Sequence, residues 1–173
     1  MGHTQWFNFG IAGMEAGKKY TFNIVNLEKT NSQYNFGMQP VMFSTKANAK
    51  AKVGSGWHRV GHNICYMKNG HRRTDKRAKG ARLYHYSVTF SIVFDHADDV
   101  CFLAYHFPYT VSDHYKHLFD LERAAKPQQC MVRQLLCRTL SGNRCDLLTI
   151  TSFQRDDLEK FPIIDREYIF LSG

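Results

Sequence analysis

Tyr84-His85-Tyr86-Ser87-Val88-Thr89-Phe90-Ser91-Ile92-Val93-Phe94 is the stretch that decides the fold. Tyr84, Tyr86, Val88, Phe90, Ile92 and Phe94 recur with a period of two, while His85, Ser87, Thr89 and Ser91 fill the alternate positions. Side chains along a strand alternate between its faces, so this pattern predicts a half-buried antiparallel strand with one apolar and one polar side. Downstream, Asp95-His96-Ala97-Asp98-Asp99 turns the chain into a further strand over Val100 to Phe107. Upstream, Trp6 to Phe9, Lys19 to Asn26 and Val41 to Ser44 read as strands, the last followed by a basic loop. Trp57 to Gly61 and Asn63 to Lys68 read as a strand pair. Short strands punctuated by turn residues predict a mainly β chain that begins as an antiparallel β-sandwich.

After Phe107 the pattern changes. Ser112-Asp113 is predicted to cap a helix from about His114 to Ala125, with Tyr115, Leu118, Phe119 and Leu121 on its apolar face and Pro127 beyond its end. Val132 to Leu140 and Asp146 to Thr151 form a predicted hairpin around Ser141-Gly142-Asn143-Arg144. A polar loop over Gln154 to Lys160 leads to Tyr168-Ile169-Phe170-Leu171. That run is apolar at consecutive positions, as in a strand covered on both faces. With Ser172-Gly173 as its exit, the last part of the chain reads as the opening of a second, unfinished domain. The boundary is placed near residues 124–129, giving domains 1–126 and 127–173.

An apolar fraction of 43% permits a real core, and no segment approaches the roughly 20 apolar residues of a membrane span. The N-terminus lacks the charged-then-apolar order of a signal peptide, and no Asn-x-Ser/Thr sequence occurs. Cys65, Cys101, Cys130, Cys137 and Cys145 include no CxxC spacing. Three of them, Cys65, Cys101 and Cys137, lie in apolar strand-like runs and read as buried reduced thiols of a cytosolic protein. A zinc site built from Cys137, Cys145 and a histidine is the alternative, without support from spacing. His58 with His62, and His114 with His117, read as surface histidines: Gly61 breaks the first pair, and the second has no carboxylate at HExxH spacing. No catalytic motif is present, so no catalytic or metal-ligating residue is assigned.

Charge is the clearest functional signal. The net charge of +8 is concentrated between Lys46 and Arg82, a stretch that carries +10 by itself and holds Asp75 as its only acid. Such a surface favours an acidic partner. Asn69 to Ala81 reads as a solvated loop in which Arg72, Arg73, Lys76, Arg77 and Lys79 could grip carboxylates or phosphates. Residues 69–82 contain no aromatic side chain to stack on bases, which disfavours nucleic acid beyond phosphate contacts. Tyr105-His106-Phe107-Pro108-Tyr109-Thr110-Val111-Ser112 sets three aromatics around a proline, read as a structural corner or as an aromatic surface presented at a domain junction.

Several stretches together resemble the cytosolic carboxypeptidase family, zinc enzymes that trim glutamates from tubulin and other proteins. They are Phe22-Asn23-Ile24-Val25-Asn26, Asn31 through Pro40 ending in Gly37-Met38-Gln39-Pro40, Asp98-Asp99-Val100-Cys101, Phe107-Pro108-Tyr109-Thr110, Leu136 through Asn143, and Leu147 through Ser152. The resemblance implies that the N-terminal sandwich supports an α/β carboxypeptidase domain, of which Val132 to Gly173 supplies the first strands. It places Phe107, Pro108, Tyr109 and Thr110 at the junction of the two domains. It implies zinc in the parent protein, held by a His-x-x-Glu pair and a third ligand that would follow Gly173, so this chain alone is expected to be inactive. Tubulin or other glutamate-rich tails and the protein's own catalytic domain are the implied partners. The implied compartment is the cytoplasm, with the nucleus as a second one. Family members commonly carry tyrosine where this chain has Val111, which weakens a role for that corner at an active-site mouth. Two readings stand beside this one: a non-catalytic module that holds acidic tubulin tails, and a basic nucleic-acid-binding domain.

Overall fold

The computed structural model describes residues 4–50, 56–73 and 83–171. The chain divides into two compact units, Met1–Pro108 and Tyr109–Gly173. The division falls ahead of the helix that sequence reading leaves with the first domain.

The first unit is built from β1 (Asn8–Ala12), β2 (Lys19–Leu27), β3 (Val41–Ser44), β4 (His58–Arg59), β5 (His62–Arg72), β6 (Tyr84–Val93) and β7 (Val100–Ala104), with the short helix α1 (Thr45–Lys50) after β3. The strands form two sheets, in the orders β1-β7-β3-β4 and β2-β6-β5, and every pairing is antiparallel. Both sheets feed one core. Val88, Phe90, Ile92 and Phe94 from β6 and its end meet Met42, Cys101 and Leu103 from the other sheet. Phe22 lies opposite Phe90 in register, and their rings stack at 5.4 Å. The predicted mainly β, antiparallel architecture is what the chain adopts.

Strand β6 is the central strand of its sheet, which changes the fate of its polar face. Ser87 and Ser91 are buried rather than solvated. Neighbours on both sides cover these small side chains and supply their hydrogen bonds: Asn69 Nδ2 donates to Ser87 Oγ at 2.9 Å, and Thr21 Oγ1 lies 2.9 Å from Ser91 Oγ.

The structure corrects several other expectations in this unit. The first strand begins at Asn8 rather than Trp6, and the basic segment after β3 starts as helix α1. The segments read as a strand pair, Trp57–Gly61 and Asn63–Lys68, belong to different sheets: β4 pairs with β3, β5 with β6. Gly61 makes the crossing. Its φ of +97° is open to glycine, and a Cβ there would meet Pro40 Cγ at 3.4 Å. Gln39 Nε2 donates to the Gly61 carbonyl at 2.9 Å, and Val60 N–H donates to the Pro40 carbonyl. The Gly37-Met38-Gln39-Pro40 segment is thus a clamp that holds the point where the chain changes sheets.

Asp99 is a second organising residue that sequence reading left as part of a turn. Its buried carboxylate accepts from Ser44 Oγ (2.5 Å), Thr45 Oγ1 (2.7 Å), Lys46 N–H (3.0 Å) and Cys101 Sγ (3.2 Å). Burial alone would favour the neutral acid, but these four donors outweigh it and hold the carboxyl far below the usual range. Burial and the same carboxylate push the Cys101 thiol up to about 12. Cys101 is the buried thiol expected; Cys65 and Cys137 are exposed instead, because their strand positions face away from apolar cover.

The second unit contains α2 (Val111–Ala125), the hairpin β8 (Met131–Arg138) and β9 (Arg144–Ile150), and α3 (Arg155–Lys160), where a loop was expected. Helix α2 starts earlier than predicted. Thr110, not Ser112, is the N-cap, and it forms a capping box with Asp113: Asp113 N–H donates to Thr110 Oγ1 at 3.1 Å, and Thr110 N–H donates to Asp113 Oδ2 at 3.0 Å. Thr110→Ala is expected to cost about 1 kcal/mol, read as earlier loss of helical signal in thermal melts, whereas Ser112→Ala leaves the melt unchanged. Of the predicted apolar face, Leu118 is buried and Phe119 and Leu121 are exposed.

Arg133 ties helix to hairpin by donating to Asp146 Oδ2 (2.7 Å) and Glu122 Oε2 (3.0 Å). Asp146 also accepts from Arg144 at 2.8 Å, and these two arginines, Arg144 first, hold its carboxyl below the usual range. Tyr168-Ile169-Phe170-Leu171 is not a strand: these residues are unpaired and exposed. A β-former becomes a strand when a neighbour supplies its hydrogen bonds, and no described strand pairs with this segment.

Candidate functional site

The predicted basic loop is in part an ordered strand end. Strand β5 continues through Arg72, which lies opposite Tyr84 of β6, after a register shift between Lys68 and Arg72. The Asn69 side chain secures that irregular stretch by donating to the Val25 carbonyl at 2.7 Å, while its Oδ1 accepts from His71 N–H. Past it, Arg73 N–H donates to the Leu83 carbonyl at 3.0 Å and closes the ladder.

The cations of this end have different surroundings. Arg73 is half-buried and pairs with Glu28 at 3.2 Å. Arg72 is exposed at the strand end, and Lys68 lies with its Nζ 4.4 Å from the centre of the Tyr84 ring. Lys76, Arg77 and Lys79 lie outside the described residues. So Arg72 and Arg73 are brought to one end of the β2-β6-β5 sheet, and Arg73 is structural as well as basic. Sequence reading missed the aromatic contact, because Tyr84 reaches Lys68 through strand pairing rather than along the chain.

The Phe107-Pro108-Tyr109-Thr110 motif divides its roles. In the first unit, the Arg59 guanidinium lies 5.6 Å from the Phe107 ring centre. Just before it, Tyr34 Oη donates to the Tyr105 carbonyl at 2.8 Å, and burial raises the Tyr34 phenol. In the second unit, Thr110 is the cap described above, and Tyr109 Oη lies 3.3 Å from His114 Nδ1 and 3.2 Å from His117 Nδ1. Tyr109, the two histidines, Leu118, Asp120 and Leu121 line an open groove of about 430 Å³. His58 and His62 are exposed on separate strands.

Among the described residues, no three His, Cys, Asp or Glu side chains assemble where a metal ion could be held. The residues therefore do not fit the zinc that the resemblance implies for the parent, and no zinc chemistry is assigned to them. Among the described residues, no helix is long and apolar enough to cross a membrane.

Comparison with known proteins gives a consistent family. The chain is 45% identical over 173 residues to human cytosolic carboxypeptidase 1, a match that covers 98% of this chain and 14% of that protein. It is 44% identical over 160 residues to human cytosolic carboxypeptidase 4, covering 91% of this chain and 14% of the relative. The chain thus spans about 14% of the length of these curated relatives. Among solved structures, a Shewanella denitrificans protein assigned provisionally to carboxypeptidase A aligns with a TM-score of 0.49 and 21% identity, over 84% of this chain and 30% of that one. No family model matches the sequence. Identity at this level along nearly the whole chain, to relatives that share one name, shows that the chain belongs to the cytosolic carboxypeptidase family.

Proposed function

We propose that this chain is the N-terminal part of a cytosolic zinc metallocarboxypeptidase that removes glutamates from tubulin and other acidic tails. Its β-sandwich supports the catalytic domain, and its basic sheet end docks the substrate. The observation that carries this reading is the 45% identity to cytosolic carboxypeptidase 1 across 98% of the chain. In the second unit, Leu136, Ile150, Phe161 and Ile164 are exposed, and further chain would cover them in the longer relatives. The charge of the Lys46–Arg82 stretch suits a polyglutamate ligand.

The docking step is tested with a fluorescent polyglutamate peptide and this chain. Reversing Arg72, Lys76 and Arg77 to glutamate is expected to weaken binding at least tenfold at low salt and to flatten its salt dependence. Arg73 is left intact because it pairs with Glu28. Unchanged affinity and salt slope would remove the docking role. Tighter binding to single-stranded nucleic acid than to the peptide would favour the nucleic-acid alternative instead. The enzymatic reading is tested on the longer protein, which is expected to release glutamate from glutamylated tails only with zinc, while this chain alone releases none. Release of no glutamate by the longer protein would leave the non-catalytic binding module as the better reading.

A further inference from the structure

We propose that Cys137 and Cys145 form a dithiol site on the β8–β9 hairpin that glutathione disulfide closes reversibly into a cross-strand disulfide. The two residues are direct partners in the hairpin register, beside a shift between Leu135 and Cys137. Directly opposed residues of an antiparallel pair project from the same face, with Cα atoms about 4.5–5.5 Å apart. A disulfide requires Cα atoms about 4.4–6.8 Å apart, so either type of opposed pair lies within reach. Both residues are exposed, and both are free thiols. Their face is the one opposite Asp146, because adjacent residues alternate along a strand, so closure leaves the Arg133–Asp146 contact in place.

The other cysteines are arranged differently. Cys101 is buried and donates to Asp99, Cys65 lies opposite Thr89, and Cys130 is half-buried with the Ala125 carbonyl as its neighbour. Among the described residues, the hairpin pair is the one place where two cysteines oppose each other. Proximity also shows electrostatically: a hydrogen bond with Cys137, and then its charge, raise the Cys145 thiol.

The chemistry balances as two exchange steps. One protein thiolate attacks a sulfur of glutathione disulfide, forming a mixed disulfide and releasing one glutathione thiolate, which takes up the proton lost by the attacker. The second protein thiol, losing its proton, displaces the remaining glutathione. Two protein S–H bonds are replaced by one S–S bond, and glutathione disulfide is reduced to two glutathiones. The product locks the turn over residues 139–143 and fixes the register next to the shift. A link forced onto an irregular hairpin is expected to be readily reducible, as regulatory disulfides are.

The test uses the whole chain equilibrated in glutathione buffers of increasing oxidation, then alkylated and digested with trypsin. Cleavage after Arg133, Arg138, Arg144 and Arg155 places Cys137 and Cys145 on separate peptides. The expected result is one linked pair of these two peptides, two hydrogens lighter than their sum and reversed by reduced glutathione. It should persist when Cys65, Cys101 or Cys130 is replaced by serine. Cys137→Ser and Cys145→Ser should each leave a stable glutathione adduct on the remaining thiol. Stable adducts on both thiols of the native chain, or linkage to a third cysteine or between chains, would overturn the proposal.

Discussion

Phe90→Ala is expected to destabilise the first unit by about 3–5 kcal/mol, the range for deleting a fully buried aromatic ring. The ring has no exposure to solvent and stacks between Phe22 at 5.4 Å and Phe7 at 6.4 Å. Removing it takes away apolar contact area from both sheets at once, since Phe22 belongs to β2 and Phe7 leads into β1. A cavity there closes poorly, because β6 is hydrogen-bonded on both sides and cannot shift without breaking a ladder. Domains are stable by about 5–15 kcal/mol, so the variant should unfold at a much lower urea concentration with an unchanged slope. Val93→Ala, three positions along but exposed, serves as the control and should change stability by no more than about 0.5 kcal/mol. Equal effects at the two positions would refute the packing described for the sandwich.

Asp99→Ala should cost about 3 kcal/mol at neutral pH, because it strips the acceptor from donors that include buried Ser44 and Cys101. Thr45 and Lys46 are less enclosed, so water replaces part of what they lose. The carboxylate connects three elements, the end of β3, the first turn of α1 and the start of β7, so its loss loosens the sheet edge and the helix together. The pH dependence has a definite sign. A carboxyl whose folded pKa is depressed stabilises fully above its unfolded value of about 3.9, and that contribution fades as pH falls below it. The stability gap between the native chain and Asp99→Asn should therefore be constant from pH 7 to about 5 and shrink by up to about 1.4 kcal/mol per unit below about 4. Urea titrations at pH 7, 5 and 3 measure it. A gap that widens at low pH would show that Asp99 is not held as the anion.

The family resemblance rests on segments whose positions now have physical reasons. Gly37 through Pro40 clamp the crossing at Gly61, Asp98 to Cys101 contain the buried carboxylate, and Thr110 begins a helix. These are structural duties. Of the basic residues offered as a binding surface, Arg72 is exposed and Arg73 is engaged in the strand end. The basic stretch was legible as charge because charge needs only composition. Its geometry was not, because the pairing of Arg72 with Tyr84 joins two segments across the 74–82 stretch.

Local patterns determined by the sequence alone are the ones that need no distant partner. The alternation in Tyr84–Phe94 gave the apolar face of β6, Val41–Ser44 was a strand with the bounds observed, and the hairpin around Gly142 formed where its turn residues stood. Tertiary structure decided whatever depends on which segment lies alongside. It sent β4 and β5 to different sheets, buried Ser87 and Ser91 on a nominally polar face, and brought Ser44, Thr45 and Cys101 around Asp99. It set Cys137 opposite Cys145, and it left Tyr168–Leu171 exposed despite a strand-like composition. The reason is the same in each case. Side-chain periodicity is a property of one segment, whereas hydrogen-bond satisfaction and burial are properties of its neighbours.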